Sequence, residues 1–208
     1  MKNKIIKKII ILSLSLFLFG CATPRPQLSR DEWLAVSSRN YDGVTKDQVL
    51  NAAEKLFRLA DGDDFKIVPT EDGLYATRNW GAYMIIAFVA GTDYWQVKVS
   101  PTDNGVKAFV QVNTQSQSAM PMTTTDGAMT ATMMPMSGSP IEGTAIYDVF
   151  WSRMDYLLGK RPDWMNCQCA NERVKQGIVW GTNEALCNSF NMKDETPSAP
   201  ILPYRDPN

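Results

Sequence analysis

The residues Tyr94-Trp-Gln-Val-Lys-Val-Ser100, Pro101-Thr-Asp-Asn-Gly105 and Val106-Lys-Ala-Phe-Val-Gln-Val-Asn113 decide the fold class. Successive side chains of a strand point to opposite faces. Trp95, Val97 and Val99 therefore share one face, with Gln96 and Lys98 on the other. Beyond a turn built from Pro, Asp, Asn and Gly, Val106, Ala108, Val110 and Val112 alternate with Lys107, Phe109, Gln111 and Asn113. Polar residues on the second face predict a sheet covered on one side only, the antiparallel pattern. Two shorter runs lie upstream, Phe65 to Val68 and Leu74 to Arg78, with Pro69-Thr-Glu-Asp-Gly73 as the turn between them.

The cover has to come from helices. Thr45 followed three residues later by Gln48 is a capping box, and Val49, Leu50, Ala53, Leu56, Phe57 and Ala60 follow it at helical spacing. Asp61-Gly62 supplies the stop. Ile146, Val149, Phe150, Trp151, Met154, Leu157 and Leu158 predict a second, strongly apolar helix closed by Gly159 and Pro162. Each stripe needs burial. The order helix, four strands, helix predicts an α+β fold: an antiparallel sheet of about four strands with two helices on one face. In element order this resembles the helix-grip modules of envelope lipoproteins, a likeness of fold that implies nothing about activity.

The chain has 208 residues, 44% hydrophobic and 21% charged, with 4 Cys and no His. That composition is ordinary for one globular domain with short appendages. Without histidine there is no His-based triad, no His metal ligand and no imidazole proton shuttle. Neither a Gly-x-Ser-x-Gly elbow nor a glycine-rich phosphate loop occurs, and no motif identifies a small-molecule substrate.

Lys2, Lys4, Lys7 and Lys8 precede an apolar run from Ile9 to Phe19, the charged head and short apolar body of an export signal. The run is about half the ~20 residues that a membrane-spanning helix needs. It ends in Leu18-Phe19-Gly20-Cys21, which resembles the lipobox of bacterial lipoproteins. The resemblance implies cleavage after residue 20, acylation of Cys21 and a periplasm-facing protein. By the family's sorting rule, Ala22 in place of Asp favours the outer membrane. Two or three acyl chains anchor stably, at about 0.8 kcal/mol per buried methylene. Loss of the four signal lysines leaves 17 basic against 22 acidic residues, a net charge of −5. With no basic cluster left, the sequence argues against nucleic acid and against electrostatic membrane binding. The expected segments are 1–20 as signal and 21–40 as lipidated N-terminus and tether. The α+β domain follows at 41–160, then a Cys-containing helical cap at 161–192 and a Pro-rich mobile tail at 193–208.

Four features remain to be weighed. Cys167, Cys169 and Cys187 make an odd set, and in an oxidising compartment either of the first two is expected to bridge to Cys187 and tie down the cap. Residues 115–140 are low in complexity and carry Met120, Met122, Met133, Met134 and Met136. Thioethers are soft ligands suited to Cu(I), so this segment is a candidate metal loop beside the blander reading of a flexible hairpin. Asn79 to Gly91 is the most apolar stretch after the signal. It is either a buried core element or an exposed patch in which Trp80, Tyr83, Ile85 and Phe88 meet a membrane or a partner. The acidic groups Asp61, Asp63, Asp64 and Glu71, Asp72 lack the spacing of a calcium loop and read as solvated turns. The functional expectation is a non-enzymatic outer-membrane lipoprotein that binds or scaffolds other envelope proteins, with no cofactor beyond the lipid. A Cu(I)-binding lipoprotein and a carboxylate-based cell-wall hydrolase are the alternatives.

Overall fold

The computed structural model describes residues 27–61, 64–84, 87–123, 129–135, 138–141, 143–187, 197 and 199–204. In chain order the elements are α1 (Arg30–Ser37), β1 (Ser38–Asp42), α2 (Lys46–Asp61), β2 (Phe65–Pro69), β3 (Gly73–Met84) and β4 (Ala87–Thr102). Then come β5 (Gly105–Thr123), β6 (Met129–Pro135), β7 (Ser139–Pro140), α3 (Ala145–Leu157) and α4 (Cys167–Lys175). Every strand and core residue belongs to the compact unit that starts at Glu32.

The alternating stretch forms the centre of one antiparallel sheet, in the order β1-β5-β4-β3-β2. β4 and β5 pair from Thr102 opposite Gly105 to Phe88 opposite Ala119. The other edge of β5 is completed in relay: β1 pairs with residues 105–109, β7 with 113–114 and β6 with 117–123. Between β1 and β7, the Ile141 amide donates to the Val112 carbonyl at 3.0 Å.

The class is α+β as the patterning predicts, but the described residues hold seven strands and four helices, against an expected sheet of about four strands, two helices and a helical C-terminal cap. β1 and β7 carry no apolar alternation, whereas β6 does, with Met129, Ala131 and Met133 alternating with Thr130 and Thr132. In β1, Tyr41 alone is buried, and residues 38–40 of the strand lie in the segment expected to be tether. β6 and β7 lie within the low-complexity segment, where β6 is paired strand rather than loop.

The core occupies one face. Val49, Ala53, Leu56 and Phe57 of α2 are fully buried against that face. Trp95 of β4 meets Phe57 edge-on at 5.2 Å and stacks on Phe150 of α3 at 5.7 Å, so both helices press on the same strand. The capping box forms: the Thr45 amide donates to Gln48 Oε1 at 2.9 Å and the Gln48 amide to Thr45 Oγ1 at 3.3 Å. α3 differs from an ordinary amphipathic helix in being buried on nearly every side, Ser152 and Arg153 included. The helical cap at its far side explains this.

That cap is held by α3. The Cys167–Cys187 disulfide closes it, and Cys169 is a free, exposed thiol. Arg153, fully buried, donates from Nε to the Met165 carbonyl at 3.0 Å and from Nη1 to the Leu186 carbonyl at 3.3 Å, with its guanidinium 4.9 Å from the Trp164 ring. Arg173 of α4 makes a two-pronged bond to Asp148 of α3 at 2.8 and 3.1 Å. The first amides of α3 are satisfied by the cap as well, since those of Thr144 and Ala145 donate to the Trp180 carbonyl.

The Pro-rich tail, expected to be mobile, is packed where it is described. The Ile201 and Leu202 amides both donate to the Leu157 carbonyl at the end of α3, and Lys55 Nζ donates to the Ala199 carbonyl. Ile201 and Leu202 also rest on the core. Pro197 is buried as well, so the tail packs through its apolar residues, prolines included. Among the described residues no helix is long and apolar enough to cross a membrane.

A Cys187→Ser variant is expected to lose about 3 kcal/mol of stability for a loop of this size. Arg153→Met, which orphans two buried carbonyls, should lose about 2–4 kcal/mol. Urea unfolding of the oxidised protein measures both, and a loss no larger than that of an exposed substitution would refute the tie between α3 and the cap.

Candidate functional site

Length makes half of the sheet independent of the helices. β5, with 19 residues, extends about 60 Å, whereas the 16 residues of α2 reach about 24 Å. Beyond Arg78 and Asp93 the strands continue as a four-stranded arm: 79–84 of β3, 87–92 of β4, 114–123 of β5 and β6. Across 79–92 and 114–140 Asp126 is the single charged residue, in a chain that is 21% charged. β2 starts at Phe65 opposite Arg78, so positions 79–84 of β3 have no outer strand among the described residues. The outer edge of β6 is likewise unpaired among them.

A buried ion pair stands at the root of the arm. Arg78 and Asp93 are directly opposite in register and 2.9 Å apart, their side chains 3% and 5% exposed. Asp93 also accepts from the Trp80 indole at 3.1 Å, and Arg78 donates to the Glu184 carbonyl of the cap at 3.3 Å. A cleft of about 200 Å³ opens here, lined by Trp80, Ala82, Thr114, Ile141, Thr182 and Ala185 among others. That is below the 300–1,000 Å³ usual for small-molecule sites. It has room for one large side chain.

Glycines shape the arm. A Cβ on Gly91 would lie 2.5 Å from the Trp80 ring, and one on Gly81 would lie 2.8 Å from the Phe88 ring. Each aromatic therefore lies across a neighbouring strand's bare backbone, Trp80 on one sheet face and Phe88 on the other. The exposed face at the root is neutral and polar. Thr92 Oγ1 donates to Asn79 Oδ1 at 2.7 Å, Tyr94 to Gln115 at 3.2 Å, and Gln96 Nε2 to the Tyr75 hydroxyl at 2.6 Å. A shallow hollow of about 410 Å³ lies among Asn79, Thr92, Tyr94, Gln115 and Gln117.

Asn79 to Gly91 is thus a strand hairpin beyond the helices. Trp80 is half-buried and Phe88 is 38% exposed. Tyr83 is placed in β3 by its backbone, and Ile85 lies outside the described residues. Pairing sets Met120 opposite Thr132, Met122 opposite Thr130 and Met134 opposite Ser118. Positions 120, 122 and 134 therefore fall on one sheet face and 129 and 133 on the other. Met136 and the lipobox cysteine Cys21 lie outside the described residues. The cysteines and the methionine segment occupy different parts of the fold, and among the described residues no group of three His, Cys, Asp or Glu is placed to hold a metal. Glu71 and Asp72 are exposed, and a bond from Lys98 holds the Asp72 carboxyl below its ordinary value.

A second charged group lies where α3 meets β1. Asp155 accepts from Arg39 and from the Tyr41 hydroxyl, the latter at 3.0 Å. Burial raises the Asp155 carboxyl despite the arginine, and burial beside that carboxylate pushes the Tyr41 hydroxyl well up, so tyrosine stays a neutral donor. This cluster fastens the edge strand. None of Arg78, Asp93, Arg153 and Asp155 was singled out by sequence patterning. The first two carry a legible signal: Arg78 shares parity with Leu74 and Ala76, and Asp93 with Trp95 and Val97, so each is a charge on the apolar face of its strand.

Fold and site together define an α+β domain with a helical cap and an uncharged sheet arm. Compared with protein-family models, curated proteins and solved structures, the chain matches none.

Asp93→Ala, which leaves Arg78 buried without its carboxylate, should cost about 3–5 kcal/mol. Gly91→Ala should cost about 1–3 kcal/mol through the Trp80 contact. Thermal unfolding checks both; a wild-type melting curve for Asp93→Ala would rule out the ion pair as the root of the arm.

Proposed function

We propose that this chain is a non-catalytic lipoprotein, held by acylated Cys21 in the outer membrane and facing the periplasm, whose domain binds envelope proteins through the sheet arm. The observation that carries the reading is the arm itself: four strands with a single charge among 41 residues, extending past the helices that bury the rest of the sheet. Soluble surfaces are normally rich in charge, and a neutral projection with open strand edges is a contact surface. The anchor is supported by the lysine-rich head, apolar run and Gly20-Cys21. A binding role rather than catalysis is supported by the inward carboxylates Asp93, Asp148 and Asp155, each of which is engaged by an arginine as a structural pair.

An alkyne analogue of palmitate should label the wild-type protein and not Cys21→Ser, which should leave the membrane fraction. A photo-crosslinking residue at Tyr83 or Phe88 should capture an envelope protein, whereas one at exposed Ile178 of the cap should not. Equal capture from all three positions would remove the arm from the account.

Cu(I) binding is the second reading, favoured by the register that puts positions 120, 122 and 134 on one face. Anaerobic Cu(I) titration should then show one tight equivalent that Met134→Leu abolishes. No tight equivalent in the wild-type protein would discard this reading.

A further inference from the structure

We propose that the arm's partner is a second copy of this chain, with β6 of one copy pairing against β3 of the next, head to tail. The proposal rests on the reading of the arm as a contact surface and names its occupant. Three features of the two open edges carry it.

The first is direction. β3 with β4, β4 with β5 and β5 with β6 are all antiparallel, so β3 and β6 run in opposite senses. A copy placed alongside with the same face up therefore sets its β3 antiparallel to the first copy's β6, and the alternation continues across the boundary. An odd number of strands in the arm would have forced a parallel contact.

The second is length. The open part of β3 is 79–84, six positions, and β6 runs Met129–Pro135. Alternate residues of a strand turn their amide and carbonyl to the same side, so six positions on each edge, 79–84 and 129–134, present about three outward amides apiece, and Pro135 at the end of β6 has none to donate. The two edges match.

The third is charge. Natural sheets guard exposed edges with lysine, inward charges or bulges, because unpaired amides and carbonyls recruit any strand that fits. Neither Asn79-Trp-Gly-Ala-Tyr-Met84 nor Met129-Thr-Ala-Thr-Met-Met134 carries a charge. Among the described residues each edge thus lacks a charged guard, with Pro135 only at the end of β6, and has in the other a partner of matching length and direction that it does not repel. The contact is heterologous: it uses two different edges and leaves one of each free, so it repeats from copy to copy.

The full-length acylated protein in detergent should sediment as a species larger than a dimer. Asn79→Lys with Tyr83→Lys in β3, or Ala131→Lys with Met133→Lys in β6, should each return it to monomer while the disulfide and the thermal transition are retained. The two double variants mixed together should form a dimer and nothing larger, because one supplies an intact β6 and the other an intact β3. A monomeric wild-type protein would overturn the proposal. So would an assembly indifferent to the β6 variant, which would indicate β3 pairing with β3. Capture of a different envelope protein by a crosslinker at Tyr83 in a monomeric chain would overturn self-pairing while leaving the arm as a binding surface.

Discussion

The β4–β5 ladder is the constraint on which the rest of this structure depends. It runs unbroken from Thr102 opposite Gly105 to Phe88 opposite Ala119 and serves two masters along its length. Over its first half, Trp95, Val97, Val99, Val106, Ala108, Val110 and Val112 put an apolar face under α2 and α3. Over its second half no helix follows among the described residues, since a residue advances about 3.3 Å in a strand and 1.5 Å in a helix. A sheet this long has to outrun its cover, and the arm is the result. The paired Arg78 and Asp93 mark the boundary, satisfying each other and, through Trp80 and the Glu184 carbonyl, the two regions they separate.

The cap answers a different problem. α3 is apolar over more of its circumference than one sheet face can bury, so a second layer has to close over it. The cap contributes disulfide-linked chain on one side, and the Ile201-Leu202 strap covers the helix end. Arg153 gives that layer its register. A guanidinium with several donors in a fixed plane can hold the carbonyls of Met165 and Leu186 at once, on two segments joined by the Cys167–Cys187 bond.

Much of the proximal half was legible because its rules are local. The Thr45–Gln48 box and the stripe from Val49 to Ala60 depend on neighbours within a turn or two. The alternation of 94–113 reports a face that is buried on one side throughout. The cysteines were legible to one choice. Residues two apart on a helix point about 200° away from each other, so only one of Cys167 and Cys169 can face Leu186 and Cys187. Which one does so depends on where the cap docks.

The arm and β1 were not legible, because periodicity reports one face buried over several residues in a row, and 79–91 is apolar at both parities while β1 buries Tyr41 alone. β1 has a single core residue, Tyr41, and β6 has a biased composition in which Met, Thr and Ala fit strand or loop equally. By itself the sequence determined an α+β class, the central ladder and the helices α2 and α3, through propensity, caps and side-chain period. It also carries the Gly20-Cys21 motif. Only the tertiary structure decided which charges are buried, which cysteine is bonded, that the tail packs and that the apolar 79–91 hairpin stands clear of the helices. The physical reason is distance along the chain: those outcomes join residues 15 to more than 100 positions apart, such as Arg78 with Asp93 and with Glu184. No pattern read over a window of a few turns contains such a contact.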